Sequence, residues 1–263
     1  MQNIILFIFG CAIGSFLNVV ADRLSFDLSI NGRSHCDFCK KKLAWFDLVP
    51  VLSFLIIQGK CRYCHKKLSL FYPFVEIVTG VMFVLTWQYL PSGLVMDFAK
   101  YPSYFLFKFA YLGIISCLIA IFFADMKYHI IPDQVQIAFF IFSLVALPMH
   151  GLVLKVFVDY VIAAFVVASP IAFLHYVTKG NGMGFGDVKL AFVIGFLMGI
   201  KQGFIVLYFA FIFGAIVGTL FMFLKKRGLK SKIAFGPFLV LGLIIMFFWG
   251  NWIFEVIKKI YGV

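Results

Sequence analysis

Acidic side chains are scarce in this chain: 11 Asp and Glu among 263 residues, against 23 Lys and Arg. Charge of either sign reaches only 13%, about half the share of a soluble domain. Apolar residues make up 63%, and Phe alone occurs 36 times. With so few charges to cover so much apolar surface, an ordinary cytosolic globule is excluded. A disordered chain and a nucleic-acid reader are excluded with it. What remains is a polytopic membrane protein built of helices or a closed barrel. The apolar runs are long and unbroken rather than alternating, which selects helices. No internal repeat and no low-complexity tract is evident. The three residues before the first apolar run supply no basic n-region and no small-residue cleavage site, so no removable signal peptide is expected.

Eight apolar segments approach the length needed to cross about 30 Å of hydrocarbon. They cover approximately 2–20, 73–90, 105–124, 135–149, 156–177, 188–200, 203–224 and 234–257. The fold class expected is an all-α polytopic membrane protein of about eight transmembrane helices, with a small zinc-ribbon-like loop domain after the first. Its parts are a first transmembrane helix at 1–20, a loop domain at 21–72, and a seven-helix membrane domain at 73–263 with its core at about 105–224. The net charge of +12 is read through the distribution of Lys and Arg. Nine lie in loop 21–72 and five in 225–233. With Lys127, Lys179 and Lys189, 17 fall on one side of the membrane and 6 on the other. That split puts loop 21–72 in the cytoplasm and both termini outside. Gly10 with Gly14, Gly195 with Gly199, and Gly214 with Gly218 are small-residue pairs that let helices approach closely.

Four of the six cysteines fall in the first loop, as Cys36-Asp37-Phe38-Cys39 and Cys61-Arg62-Tyr63-Cys64, with 21 residues between the pairs. Two such knuckles can place four thiolates tetrahedrally around one Zn²⁺. Lys40, Lys60 and Arg62 help keep the thiols ionised. Two disulfides are the alternative, and a cytoplasmic location argues against them. His35 and His65 stand in reserve as ligands or are simply exposed. Cys11 and Cys117 read as inert core thiols.

Each acidic residue can be weighed singly. Asp22, Asp27, Asp37 and Asp47 read as solvated partners of the basic loop. Asp133, after Ile131-Pro132, reads as a helix N-cap. Glu76 either pairs with a loop cation or lines the site; both readings stay open. Asp125 ends one apolar run and Asp187 begins another, inside Gly184-Phe185-Gly186-Asp187-Val188-Lys189. The topology brings both to one membrane depth from distant parts of the chain. Two facing carboxyls that share a proton supply an acid and a base, and can activate water on a peptide carbonyl. Gly184 and Gly186 allow a substrate backbone to come close. The alternative is that each Asp caps a helix or pairs with a nearby Lys.

The ordered set of motifs resembles the prepilin peptidases, membrane aspartic proteases that process type IV pilins and pseudopilins. The set includes Gly14-Ser15-Phe16-Leu17-Asn18, Arg33-Ser34-His35-Cys36, Trp45-Phe46-Asp47-Leu48-Val49-Pro50, Gly59-Lys60-Cys61, Tyr72-Pro73 with Glu76, Asp125 upstream of Ile131-Pro132-Asp133, and Gly184-Phe185-Gly186-Asp187. Between the first cysteines the family often has Pro; here it is Asp37-Phe38. The resemblance implies catalytic roles for Asp125 and Asp187, and metal ligation by Cys36, Cys39, Cys61 and Cys64. Gly184, Gly186, Lys189 and Glu76 would support the site. The activities implied are removal of a short basic leader on the cytoplasmic side and N-methylation of the new N-terminus from S-adenosylmethionine. Structural Zn²⁺ would be the resident metal, and no cofactor-binding residue is assigned. Prepilin or pseudopilin substrates within the lipid bilayer would be the partners, in a bacterial inner membrane, for pilus assembly or type II secretion. A different intramembrane aspartyl protease, or a zinc-stabilised scaffold or transporter without catalysis, are the rival readings. Phe38, Leu43, Trp45, Phe46 and Tyr63 either stack on an adenine or form the zinc module's own small core.

Overall fold

The structure is a computed structural model that describes residues 1–36, 38–89, 104–147, 154–180, 182–224 and 234–261. Its main helices are α1 (Gln2–Leu24), α2 (Leu52–Ile56), α3 (Phe71–Gln88), α4 (Tyr104–Tyr128), α5 (Asp133–Ala146), α6 (Leu154–Val177), α7 (Phe185–Phe223) and α8 (Gly236–Tyr261). Among the described residues, six of these are long and apolar enough to cross a membrane. The only β pairing there is two isolated bridges in the first loop. The basic run 225–233 and Asp37 lie outside the described residues. The chain divides into two compact units, Met1–Gln88 and Tyr89–Val263.

In the first unit, α1 and α3 run antiparallel at close range. A Cβ on Gly10 would stand 2.8 Å from the Gly80 backbone, and one on Gly14 would stand 2.8 Å from the Glu76 backbone. The Gly10–Gly14 pair thus does what small residues do between membrane helices, which is to let backbones meet. Further along, Asn18 donates to the Tyr72 carbonyl at 3.2 Å, and the Tyr72 hydroxyl bonds Asp22 at 3.2 Å.

The first loop contains a duplication. Cys36, Phe38, Cys39, Lys41, Lys42 and Leu43 recur as Cys61, Tyr63, Cys64, Lys66, Lys67 and Leu68, offset by 25. The backbone repeats with the same offset. The Cys36 amide donates to Lys41 O, and the Cys61 amide to Lys66 O. Leu43 donates to Ser34, and Leu68 to Gly59. His35 bridges Lys42, and Lys60 bridges Lys67. Lys40 and His65, one residue after each pair, both take positive φ, 57° and 54°. The contacts are reciprocal as well: Lys41 sits over the Tyr63 ring and Lys66 over the Phe38 ring, at 4.4 and 5.4 Å. The sequence therefore does hold an internal repeat, too short and too substituted to stand out without the hydrogen-bond pattern.

In the second unit, α4 and α8 run antiparallel, with Tyr111 against Phe247 at one level and Asp125 against Gly236 at another. The seam between α6 and α7 is close-packed. A Cβ on Gly195 would stand 2.6 Å from the Ala163 carbonyl. Gly199 has φ 76° and ψ 179°, which only glycine adopts readily, and it divides α7 into two helices. Gly195 and Gly203 both pack on Val167 of α6, while Gly199 between them faces Tyr160. Eight residues of straight helix would part Gly195 from Gly203 by about 12 Å. The chain therefore doubles back at Gly199. The two apolar runs expected at 188–200 and 203–224 are the two arms of this reversal, and Gly199 makes a turn rather than a close helix contact. Gly214 makes no close contact either: its nearest neighbour, Phe238, is at an ordinary 3.5 Å.

These two glycines yield a paired prediction. Gly199→Ala should destabilise the protein by about 1–3 kcal/mol, because any Cβ is strained in that backbone region. Gly214→Ala should be neutral or slightly stabilising, since helical glycine costs about 1 kcal/mol relative to alanine. Thermal unfolding of the purified variants checks both; a Gly199→Ala midpoint equal to that of the unmodified chain would remove the strained turn.

Candidate active site and metal centre

Asp125 and Asp187 both lie in the second unit, at helix ends that Ile131 brings together. Asp187 is the third residue of α7, and Gly184 is the residue before that helix begins. The Asp187 Oδ2 accepts the Gly184 amide at 3.0 Å, while the Asp187 amide donates to Gly184 O at 3.2 Å. This is one half of a capping box, the third helical residue reaching back to the amide before the helix, with the carboxyl in the field of the helix N-terminus. Asp125, in the last turn of α4, accepts the Gly236 amide on Oδ2 at 3.0 Å, at the start of α8. Both carboxyls are buried, at 5% and 7% exposure. Ile131 joins the two halves: it packs at the Cα of Gly236 and also at Gly186, next to Asp187. Each carboxyl uses one hydrogen bond of about four it can accept, so both keep capacity for water or substrate.

Gly236 was not foreseen. A Cβ there would lie 2.6 Å from Asp125 Oδ2 and 3.0 Å from Ile131, so any side chain would displace the carboxyl. His129 lies one turn along from Asp125, its amide bonding Asp125 O at 2.9 Å. His175 Nδ1 bonds the Met183 carbonyl at 2.8 Å, fixing the approach to Gly184. Gln136 of α5 donates to the Gly186 carbonyl at 3.3 Å, while its Oε1 is buried and unpartnered among the described residues. A groove of about 670 Å³ runs alongside, between α5, α6 and α7. Its walls include Ile137, Phe140, Phe165, Phe185 and Phe192, with Gln136 near the aspartates.

Two expectations for charged residues change. Asp133 is not an N-cap: α5 begins on it, after Pro132, with no side-chain cap bond. Its carboxylate pairs instead with Lys189 at 2.7 Å. Lys189 also lies over the Phe185 ring, 5.1 Å from its centre. Its charge is thereby directed at Asp133.

In the first unit, Glu76 pairs with no loop cation in the bonds found. Its Oε2 accepts the Val51 amide at 2.8 Å. Val51 is held there at φ 61°, an uncommon conformation for a β-branched residue. Glu76 therefore pins the loop to α3. Asp47 is not solvated: its side chain is 5% exposed. It accepts from Arg62 Nε at 2.9 Å, from the Tyr63 hydroxyl at 3.2 Å and from the Ala44 amide at 3.2 Å.

The thiols of Cys36, Cys39, Cys61 and Cys64 all lie within 4.8 Å of one another and could hold a metal ion. All are free, so the disulfide alternative is not realised. Cys36 Sγ and Cys64 Sγ are 3.8 Å apart. A tetrahedron with Zn–S of about 2.3 Å has edges of about 3.8 Å, so the donor set fits zinc in kind and in spacing. Neither His35 nor His65 belongs to the cluster. Without metal, the Cys64 thiol is pushed up to about 11. The Lys66 amide favours its thiolate, but burial and the other three thiols outweigh that bond. The rings of Phe38, Phe46 and Tyr63 each carry a cation, from Lys66, Arg62 and Lys41. The expectation that these rings stack on an adenine gains no support.

Two family models match the chain. The bacterial peptidase A24 N-terminal domain covers residues 8–90, and the type IV leader peptidase family covers 112–219. The chain is 31% identical over 252 residues to a prepilin leader peptidase/N-methyltransferase of Bacillus subtilis (strain 168), covering 94% of each. It is 29% identical over 266 residues to one of Vibrio cholerae, covering 94% of this chain and 98% of the other. No solved structure matches it.

The thiol cluster predicts a pH-dependent stoichiometry. Zinc titrated into metal-free protein should bind one ion per chain and release protons, because neutral thiols must ionise to ligate. Affinity should therefore rise with pH. Cys61→Ser should lower the stoichiometry towards zero. Proton release near zero on zinc addition, or binding unchanged in Cys61→Ser, would remove these thiols as ligands.

Proposed function

The chain belongs to the type IV leader peptidase family, and from that premise we propose how its residues perform leader cleavage. The enzyme is a prepilin leader peptidase and N-methyltransferase. Asp125 and Asp187 are the catalytic pair. The observation that carries this reading is that two buried carboxyls from helices far apart in sequence are each held by one glycine amide, with acceptor capacity to spare.

In this reading one carboxyl is ionised and the other protonated. The ionised carboxylate takes a proton from a water, whose oxygen attacks the scissile carbonyl. The protonated carboxyl donates to the carbonyl oxygen as it gains charge. Collapse of the tetrahedral species breaks the C–N bond, and the proton first taken from water goes to the departing amine. The Gly184 and Gly236 amides fix both carboxyls, so little reorganisation is needed as charge moves.

The apolar groove beside Asp187 suits the apolar segment of a prepilin or pseudopilin. The new amine is the acceptor for methylation, with S-adenosylmethionine as the methyl donor the activity calls for. No residue is assigned to that donor. Zinc, held by the four cysteines, has a structural role, because four thiolates leave no position open for water. The 17-to-6 division of Lys and Arg supports a site facing the cytoplasm, with both termini outside, in the bacterial inner membrane.

Mass spectrometry of a co-expressed prepilin reads cleavage and methylation together. Asp125→Asn and Asp187→Asn should each lower cleavage by at least roughly 10²–10⁴-fold while the protein still folds. Either variant cutting at near-normal rate would end the two-aspartate mechanism. Gly236→Ala should cost about 10²-fold by displacing Asp125, a misplacement of about 1 Å being enough for that. Gly184→Ala, whose Cβ would meet Asp187 Oδ2 at 3.3 Å, should cost less. Equal rates for the two alanine variants would contradict the importance given to Gly236.

A further inference from the structure

The segment Trp45–Ile56 of the first loop is apolar and uncovered. Neither its 3₁₀ turn, Trp45–Leu48, nor α2 has a buried residue. Trp45 is 79% exposed, Leu55 65% and Ile56 74%. Phe46 and Leu52 are exposed too, and so is Leu70 where the loop re-enters α3. Short helices in water bury one face, and a contiguous exposed apolar patch marks a surface that something else covers.

The same module is strongly basic. Residues 31–70 hold eight Lys and Arg against two acids, Asp37 and Asp47. Asp47 is occupied by Arg62 and Tyr63. Lys40, Lys41, Lys42, Lys60, Lys66 and Lys67 are all exposed. Even with four thiolates and a divalent metal, which together carry two negative charges, the module stays positive. Apolar side chains with a tryptophan, beside clustered lysines, are the composition of a segment that lies in a membrane interface. A basic cluster next to a membrane helix attracts anionic headgroups.

The surface that covers this segment is given by continuity. The loop leaves the end of α1 and returns at the start of α3, two helices apolar enough to span the bilayer and packed against each other in the same unit. Leu28, four residues past α1, and Leu70, one before α3, are both exposed. The loop's anchors therefore hold it at the level where hydrocarbon meets headgroup. We propose that Trp45–Ile56 seats the zinc module on the bilayer surface, its apolar side chains in the acyl boundary and its lysines on anionic phospholipid headgroups.

The test uses full-length, zinc-loaded protein with Trp87, Trp249 and Trp252 replaced by Phe, so that Trp45 is the sole tryptophan. It is reconstituted into vesicles of phosphatidylcholine alone, or of phosphatidylcholine mixed with phosphatidylglycerol. Trp45 should emit at shorter wavelength than an exposed tryptophan, be quenched by brominated acyl chains, and be shielded several-fold from acrylamide. Shielding should be greater in the mixed vesicles. Gln at Lys41, Lys42, Lys66 and Lys67, in a variant that still binds zinc, should erase that difference. Trp45 open to acrylamide and untouched by brominated lipid would overturn the proposal. So would shielding that develops only when a prepilin peptide is added, which would assign the surface to a protein partner. Equal shielding in both vesicle types would overturn its anionic part. None of these readouts depends on peptidase activity.

Discussion

A carboxylate removed from water needs a donor within reach, and in a chain this apolar few donors are free. Helix interiors consume their own amides, so the spare ones lie at helix N-termini. This enzyme places the carboxyls of Asp187 and Asp125 at such points, one at the start of α7 and the other at the start of α8. The amides belong to Gly184 and Gly236, and the second is a residue where a side chain would collide with the carboxyl. Much of the surrounding packing follows from holding these two helix ends together. Ile131 wedges between them, Gln136 ties Gly186 to α5, and His175 fastens the turn before Gly184.

What was legible in the sequence was chiefly what chemistry makes conspicuous. In a chain with 11 acids, Asp125 and Asp187 stand out by position, and Cys36, Cys39, Cys61 and Cys64 by spacing. The apolar runs marked out the helices, with the gap at 201–202 falling two residues after the actual reversal at Gly199. Residues whose role depends on a distant partner were not legible. Gly236 has no signature apart from Asp125, 111 positions away. Asp47 looked solvated among lysines, yet three donors bury it. Glu76 had two open readings, and the partner the structure gives it, the backbone of Val51, has no signature in the sequence. Gly199 fitted a packing motif by spacing, while its backbone conformation assigns it to a turn. The duplicated knuckle shares too few residues to announce itself, since its regularity lies in backbone hydrogen bonds.

The two units solve the problem of stability differently. The second buries Ile, Leu, Phe and Ala between long helices, with glycines at the closest approaches. The loop of the first unit has almost no core: apart from its cysteines, few of its residues are buried. A module that small needs a cross-link, and four converging thiols are suited to supply one through a metal. The reciprocal lysine–ring contacts and the Asp47 network organise the two knuckles around that point, and Glu76 moors them to α3.

The reversal at Gly199 has a geometric consequence. The arm of α7 that begins near Asp187 and ends before Gly199 contains 14 residues, and α5 beside it also has 14. At about 1.5 Å per residue each is about 21 Å long, well short of a hydrocarbon layer of about 30 Å. Hydrophobic mismatch of that size is relieved by local thinning of the lipid. The two short helices that call for it are also two walls of the apolar groove.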